Sequence, residues 1–121
     1  MRPEAEETFV ICRAPDRCLW AYPLDAWEEY EDQLDSMPFT KERDRLHRLI
    51  QSSSTESALD KQGRITISQL QMEITGIKKS VTIIGRRKYI EIWDTEKFEE
   101  YMGSDDNFDD IFYKAHEGLA K

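Results

Sequence analysis

The residues best equipped for chemistry are cations gathered in the middle of an acidic chain. The sequence has 121 residues and a formal charge of −8. Residues 60 to 88 nevertheless carry Lys61, Arg64, Lys78, Lys79, Arg86, Arg87 and Lys88 against Asp60 and Glu73, a local +5. The flanks sum to −6 over residues 1 to 59 and −7 over residues 89 to 121. Taken whole, the net charge argues against nucleic-acid binding; partitioned in this way, it lets an acidic protein present a cationic face. Phosphate neutralisation needs Lys and Arg on a common face and gives affinity that is sequence-independent and falls with salt. The ordinary alternative for each cation is a solubilising charge at a strand end or turn.

Catalytic chemistry finds no comparable cluster. Glu28-Glu29 and Glu99-Glu100 read as solvated helix faces rather than as acid–base pairs. His47 and His116 lack metal-ligand spacing with any Cys or carboxylate, so neither a metal nor another cofactor is expected. Cys12 and Cys18 flank a turn and could approach across a hairpin; in a cytoplasm they would be reduced thiols. No phosphate-cradling Gly-rich loop and no nucleophile elbow is present. An enzyme is therefore not expected. No apolar run approaches the roughly 20 residues of a membrane helix, and Met1 to Thr8 is acidic where a secretory signal would be basic and then apolar. These features point to a soluble protein of cytoplasmic type.

The elements that must position the cations emerge from an internal repeat at an offset of 71 residues. Arg17 to Tyr30 falls on Lys88 to Tyr101, with Trp27-Glu28-Glu29-Tyr30 over Phe98-Glu99-Glu100-Tyr101. Upstream, Val10, Ile11 and Cys12 fall on Val81, Thr82 and Ile83. Each copy reads as two β-rich runs joined by a turn and followed by an amphipathic helix. The runs are Phe9 to Arg13 and Cys18 to Tyr22, then Val81 to Ile84 and Tyr89 to Trp93. Asp25 and Asp94-Thr95 are the expected helix N-caps. Between the copies, Thr40 to Arg43 loosely fits a capping box, and Leu46, Leu49 and Ile50 form a helical stripe that Ser52 to Thr55 would end.

The second copy has a front end. Gly63 marks a turn favouring positive φ, Arg64 to Ile67 alternates like a strand, and Leu70, Ile74 and Ile77 have helical spacing, with Gly76 as the expected C-terminal cap. The equivalent front of the first copy would fall before Met1. The expectation is a fragment with a truncated or misassigned start; the alternative is a first copy that borrows a strand from elsewhere. A missing front would leave the first copy's sheet edges unpaired.

The run Asp60-x-x-Gly63-Arg64-Ile65-x-Ile67, followed by Leu70 and Gly76-Ile77, resembles the swapped-hairpin DNA-binding module of the SpoVT-AbrB superfamily. The second hairpin, Val81 to Gly85 and Ile90-Glu91-Ile92-Trp93-Asp94, together with the helix around Phe98 to Tyr101, narrows the resemblance to the MraZ family, whose members carry two such modules in tandem. It covers about residues 9 to 102. It implies an α+β fold of tandem modules, each a small β-barrel with packed helices, the first module incomplete. The layout expected is a partial first module over residues 1–37, a connecting helix over 38–56, a second module over 57–102 and an acidic C-terminal tail or helix over 103–121.

The resemblance further implies a transcriptional regulator, cytoplasmic and nucleoid-associated, that binds double-stranded DNA as a homo-oligomer at promoter repeats of the division and cell wall gene cluster. Its signature maps onto Asp60, Gly63 and Arg64. Lys61, Arg64, Arg86, Arg87 and Lys88 are the candidate DNA-binding residues. Arg64 is the candidate for base reading, with a hairpin-locking pair to Asp60 as the structural alternative. The chain departs from the family at Ser68, where Pro is usual, and at Gln71, where Arg is usual. The competing function is a degenerate, non-DNA-binding interaction module that assembles with full-length relatives or a toxin-like partner. In the tail, Phe108, Ile111, Phe112 and Ala115 share a helical face that either packs on its own subunit or contacts a neighbouring protomer or competes with DNA.

Overall fold

The repeated segment folds into two β-hairpins that meet edge to edge. The computed structural model describes residues 7–103 and 107–119. In chain order, β1 (Thr8–Ala14), a 3-10 turn, β2 (Cys18–Pro23) and α1 (Leu24–Ser36) form the first unit. Then come α2 (Lys41–Ser53), β3 (Thr55–Ala58) and α3 (Gln69–Thr75). The second unit is β4 (Val81–Gly85), β5 (Ile90–Asp94) and α4 (Thr95–Met102), followed by α5 (Phe108–Glu117). The strands form one antiparallel sheet in the order β3-β1-β2-β5-β4, with β3 and β4 at its edges. The architecture is α+β, as expected, with the two units in tandem.

The hairpins are related by an approximate twofold. β2 pairs with β5 through Leu19↔Ile92, Trp20↔Glu91 and Ala21↔Ile90, a register that the 71-residue offset maps onto itself. The helices repeat the same aromatic packing. Tyr22 lies 5.6 Å from Trp27 and 5.3 Å from Tyr30, while Trp93 lies 5.4 Å from Phe98 and 5.0 Å from Tyr101, measured between ring centroids. One part of the sequence alignment needs correction. The first turn encloses three residues between Ala14 and Cys18, whereas the Arg86 N–H donates to Tyr89 O (2.8 Å) and closes the second around two. Val10↔Tyr22 therefore corresponds to Thr82↔Trp93. Val10, Ile11 and Cys12 match Thr82, Ile83 and Ile84, one residue beyond the sequence alignment.

Strand alternation divides the apolar residues between two faces. On one face Val10, Cys12 and Tyr22 pack with Trp27 and Leu34 of α1 and Ile50 of α2. On the other, Ile11, Leu19, Ala21 and Ile92 lie beneath Ile65, Ile67 and Ile77. Each fully buried aliphatic side chain contributes about 1.5–3 kcal/mol.

The front end differs most from expectation. The sequence predicts only that the polar stretch Ser52 to Thr55 ends a helix, yet Thr55–Ala58 is a strand that pairs antiparallel with Ile11 to Thr8. The edge of β1 expected to be unpaired is thus covered, by a strand from the second copy's own front end. Arg64 to Ile67, expected as a strand, joins no ladder. The Ser57 hydroxyl accepts from the Thr66 N–H (2.8 Å), so the side chain stands where a strand would offer a carbonyl. Ile65 and Ile67 still face the core.

Local capping explains where the helices begin. Asp94 accepts from the Lys97 N–H (3.1 Å) as expected, but α1 is preceded by Pro23 at the cap position, and Asp25 lies in its first turn, accepting from the Ala26 N–H (2.8 Å). Thr40 caps α2 through the Arg43 N–H (3.0 Å). Arg43 does not complete a box. Its guanidinium turns back to the carbonyls of Leu34 and Asp35 (both 3.3 Å), holding the end of α1 against the start of α2. α3 has a complete capping box between Ser68 and Gln71, and Gly76 ends it at φ +78°. Gln71 is fully buried. Its Nε2 donates to Ile11 O (3.1 Å), Ser53 O (2.9 Å) and Thr55 Oγ1 (3.2 Å).

Replacing Gln71 by Ala strips buried carbonyls of a donor and removes half of the capping box. The expected loss in urea unfolding is about 2–3 kcal/mol. Ser68→Ala, which removes only the exchangeable cap, should cost about 1 kcal/mol. Equal losses for the two would show that the buried amide adds nothing beyond the cap.

Candidate nucleic-acid interface

The five candidate cations occupy two turns at one end of the sheet. The Asp60–Arg64 turn follows β3, whose last residue Ala58 pairs with Thr8 at the start of β1. The Arg86–Tyr89 turn joins β4 to β5, whose first residue Ile90 pairs with Ala21 near the end of β2. In an antiparallel sheet these termini share an end. With strands about 4.8 Å apart, three to four strand spacings place the turns roughly 15–20 Å from each other. Lys78 and Lys79 precede β4 and so lie at the opposite end, which splits the basic segment.

The Asp60 turn is built by its carboxylate. Oδ1 accepts from the Gln62 and Arg64 N–H groups (both 2.8 Å), and Oδ2 accepts from Arg64 Nε (3.1 Å). The Asp60 N–H donates to Arg64 O (2.9 Å) and the Gly63 N–H to Asp60 O (2.9 Å). Gly63 takes φ +78°, the left-handed conformation that side chains resist. The Arg64 backbone N–H, then its guanidinium, holds the Asp60 carboxyl below the usual carboxylate range. Arg64 thus braces the turn while its side chain stays 70% exposed. Locking the hairpin and presenting a cation outward are compatible in one residue.

The other candidates differ in how tightly they are held. Arg86 folds back to Glu91 (3.2 Å), whose other oxygen accepts from Trp93 Nε1 (3.0 Å). Its guanidinium therefore lines a cavity of about 440 Å³ with Trp20, Trp93, Phe98 and Tyr101 instead of extending from the turn. Lys88 pairs with Glu29 of α1 (3.0 Å). Among the described residues, Lys61 and Arg87 are exposed and in no ion pair. Sequence reasoning did not find the carboxylate partners: Glu29 lies 59 residues from Lys88, and Glu91 is on the strand that follows the Arg86 turn.

The remaining reactive groups are structural. Cys12 and Cys18 are free, buried thiols on neighbouring strands. Burial pushes Cys12 up to about 12, and burial with the nearby Glu91 and Asp16 charges does the same to Cys18. His116 stacks on Phe112 within α5 at 4.1 Å. Among the described residues no group of His, Cys, Asp or Glu could hold a metal ion, and no helix is long and apolar enough to cross a membrane.

Two hairpin-and-helix units joined about a twofold, with an Asp-x-x-Gly-Arg turn beneath them, define a tandem-module α+β protein. The model of one family, described as "MraZ protein, putative antitoxin-like", matches residues 1–49 and again residues 50–117. The chain belongs to the MraZ family, which is of transcription-regulator type.

Gly63→Ala should destabilise the protein by about 1–2 kcal/mol, the cost of forcing a side chain into the left-handed region. The Asp60 carboxyl should titrate below an unfolded-chain Asp in an NMR pH series. Because its folded value is the lower one, its stabilising contribution is present above the unfolded value and is lost as pH falls through the folded one. Protection factors of the Gln62 and Arg64 amides, taken against their intrinsic exchange rates at each pH, should fall over the same window; a flat profile there would refute the turn's dependence on that carboxylate.

Proposed function

We propose that the chain is a sequence-specific, double-stranded-DNA-binding transcriptional regulator, cytoplasmic and nucleoid-associated, that acts as a homo-oligomer at promoter repeats of the division and cell wall gene cluster. The observation that carries this reading is the shared end of the sheet from which the Asp60–Arg64 and Arg86–Tyr89 turns emerge. Their separation suits phosphates on either side of a major groove about 12 Å wide. Lys61 and Arg87, free of ion pairs among the described residues, supply phosphate contacts at least cost. Arg64 has the fork geometry to read a guanine edge, and its pair with Asp60 presets its direction. Arg86 and Lys88 would first have to release Glu91 and Glu29. The Lys88–Glu29 pair is exposed on both sides and worth about 0–1 kcal/mol, so DNA can displace it; Glu91 is only 14% exposed and holds Arg86 more firmly.

An oligomer multiplies such contacts along tandem repeats without new chemistry. The exposed apolar residues Phe108, Ile111 and Phe112 of α5 support that role, because the helix buries none of them against its own subunit. Ser104, Asp105 and Asp106, the acidic start of the tail, lie outside the described residues.

The test is fluorescence anisotropy of labelled promoter-repeat DNA titrated at low and moderate salt. Log affinity should fall linearly with log salt, and Arg87→Ala should weaken binding to every sequence while reducing the slope by about 1. No binding at either salt would favour the interaction-module reading, in which the chain assembles with full-length relatives or a toxin-like partner. Separately, deleting residues 104–121 should lower the molecular mass measured by light scattering; unchanged assembly would remove the tail from the oligomer contact.

A further inference from the structure

The helix-bearing face of the sheet is filled unequally on the two sides of the twofold. Over the first hairpin, Tyr89 packs 5.1 Å from Tyr22 and 4.4 Å from Trp20, between ring centroids, and the space left beside Tyr30 is about 120 Å³. The twofold places Cys18 opposite Tyr89, and its small side chain leaves open the cavity of about 440 Å³ beside Trp93 and Tyr101. The opening thus comes from the size of one buried residue. Two carboxylates, Glu91 and Asp16, line this cavity with one cation, Arg86. Glu91 neutralises Arg86 (3.2 Å), whereas Asp16 accepts from the neutral Tyr101 hydroxyl (3.2 Å) and is in no ion pair among the described residues. The lining therefore carries a net negative charge. Its rings hold no cation, because the one cation–π contact among the described residues is Arg43 over Phe39. Aromatic faces beside an uncompensated carboxylate attract an organic cation.

We propose that this cavity binds a guanidinium from another molecule, with Asp16 as its counter-ion and the rings of Trp93, Phe98 and Tyr101 as its walls. The guanidinium belongs either to an arginine side chain of a polypeptide or to a free small molecule. Arg86 shows the chemistry that fits, since a guanidinium already lies against Glu91 at the edge of the same cavity. A planar guanidinium both forks onto a carboxylate and stacks on an aromatic face, which a compact ammonium does not. Glu91 is already engaged by Arg86, so the incoming charge is drawn to Asp16. Asp16 stands at φ +68° in the turn before β2, and the Tyr101 hydroxyl ties it to α4, so the carboxylate is held at the rim beside the rings. Neither Asp16 nor the three rings are among the residues assigned to DNA, and a guanidinium can bind here whether or not DNA does.

The probe is N-acetyl-argininamide, titrated into the isotope-labelled full chain at constant ionic strength while the indole N–H resonances are followed by NMR. Those of Trp20 and Trp93 should shift saturably, and that of Trp27, which lies in the core beneath α1, should not. Asp16→Asn keeps an acceptor for Tyr101 and suits a positive φ, so the fold is retained; it should weaken binding roughly fivefold. Tyr101→Leu, at a 58% exposed position, removes one ring face and should also weaken it, whereas Glu99→Gln, outside the cavity, should not. N-acetyl-lysinamide should bind more weakly than the arginine probe. A parallel titration with free arginine separates the sources: tighter binding of the capped form points to a polypeptide arginine, tighter binding of free arginine to a small molecule, and both support the site. No saturable shift with either, a Trp27 shift that matches the other two, unchanged affinity in Asp16→Asn, or equal affinity for N-acetyl-lysinamide overturns the proposal.

Discussion

The side-chain amide of Gln71 is where separately encoded segments meet. Its Oε1 accepts from the Ser68 N–H at the start of α3, and its Nε2 reaches carbonyls of β1 and of the end of α2. No water can substitute for these partners in a fully buried site, so a shift of α3 in any direction would leave a carbonyl unpaired. That constraint fixes α3 over the first hairpin, which in turn sets Ile65, Ile67 and Ile77 over Ile11 and Leu19 and brings β3 alongside β1. The position of the Asp60–Arg64 turn at its end of the sheet follows from the same anchorage. Ser68 and Gln71 are also positions where the resemblance leads to the expectation of Pro and Arg. They are reciprocal partners in one capping box, so the departures form a matched pair and need not signal decay.

Much of this was legible from the chain alone because it was written twice. The offset exposed both hairpins and the helices after them, and the Gly63 turn and the Gly76 cap followed from residue type. Two of the failures depended on a partner elsewhere in the chain. Thr55-Glu56-Ser57-Ala58 has no apolar alternation, and it is a strand only because β1 offers it an edge. Arg64 to Ile67 has the alternation but loses its ladder to the Ser57 hydroxyl. Asp25 looks like a cap, yet the chain enters α1 directly from β2 at Pro23. The one-residue error in aligning β1 with β4 arose in a turn, where length varies without changing the strands on either side. The five candidate cations were legible as a group; which carboxylates engage them was not.

The electrostatics reconcile an acidic chain with a basic end. Three of the five cations sit in ion pairs with Asp60, Glu91 and Glu29, which come from the turn after β3, from β5 and from α1 respectively. Such an arrangement keeps the end of the sheet from being a bare cationic patch in the free protein. It also grades the residues, from Lys61 and Arg87, ready for an anion, to Arg86, which is turned inward over the aromatic cavity.

The two buried thiols give the first hairpin an internal chemical clock. Cys12 and Cys18 lie on β1 and β2, two of the three interior strands, and burial holds both as neutral thiols at physiological pH. A solvated thiolate attacks the carbon of an alkylating reagent and displaces its leaving group, so these sulfurs react only when the hairpin opens. The rate at which a native, unengineered chain takes up such a reagent therefore measures how often its centre comes apart. The corresponding positions of the second hairpin, Ile84 and Tyr89, carry no sulfur, so the signal is confined to one half of the molecule.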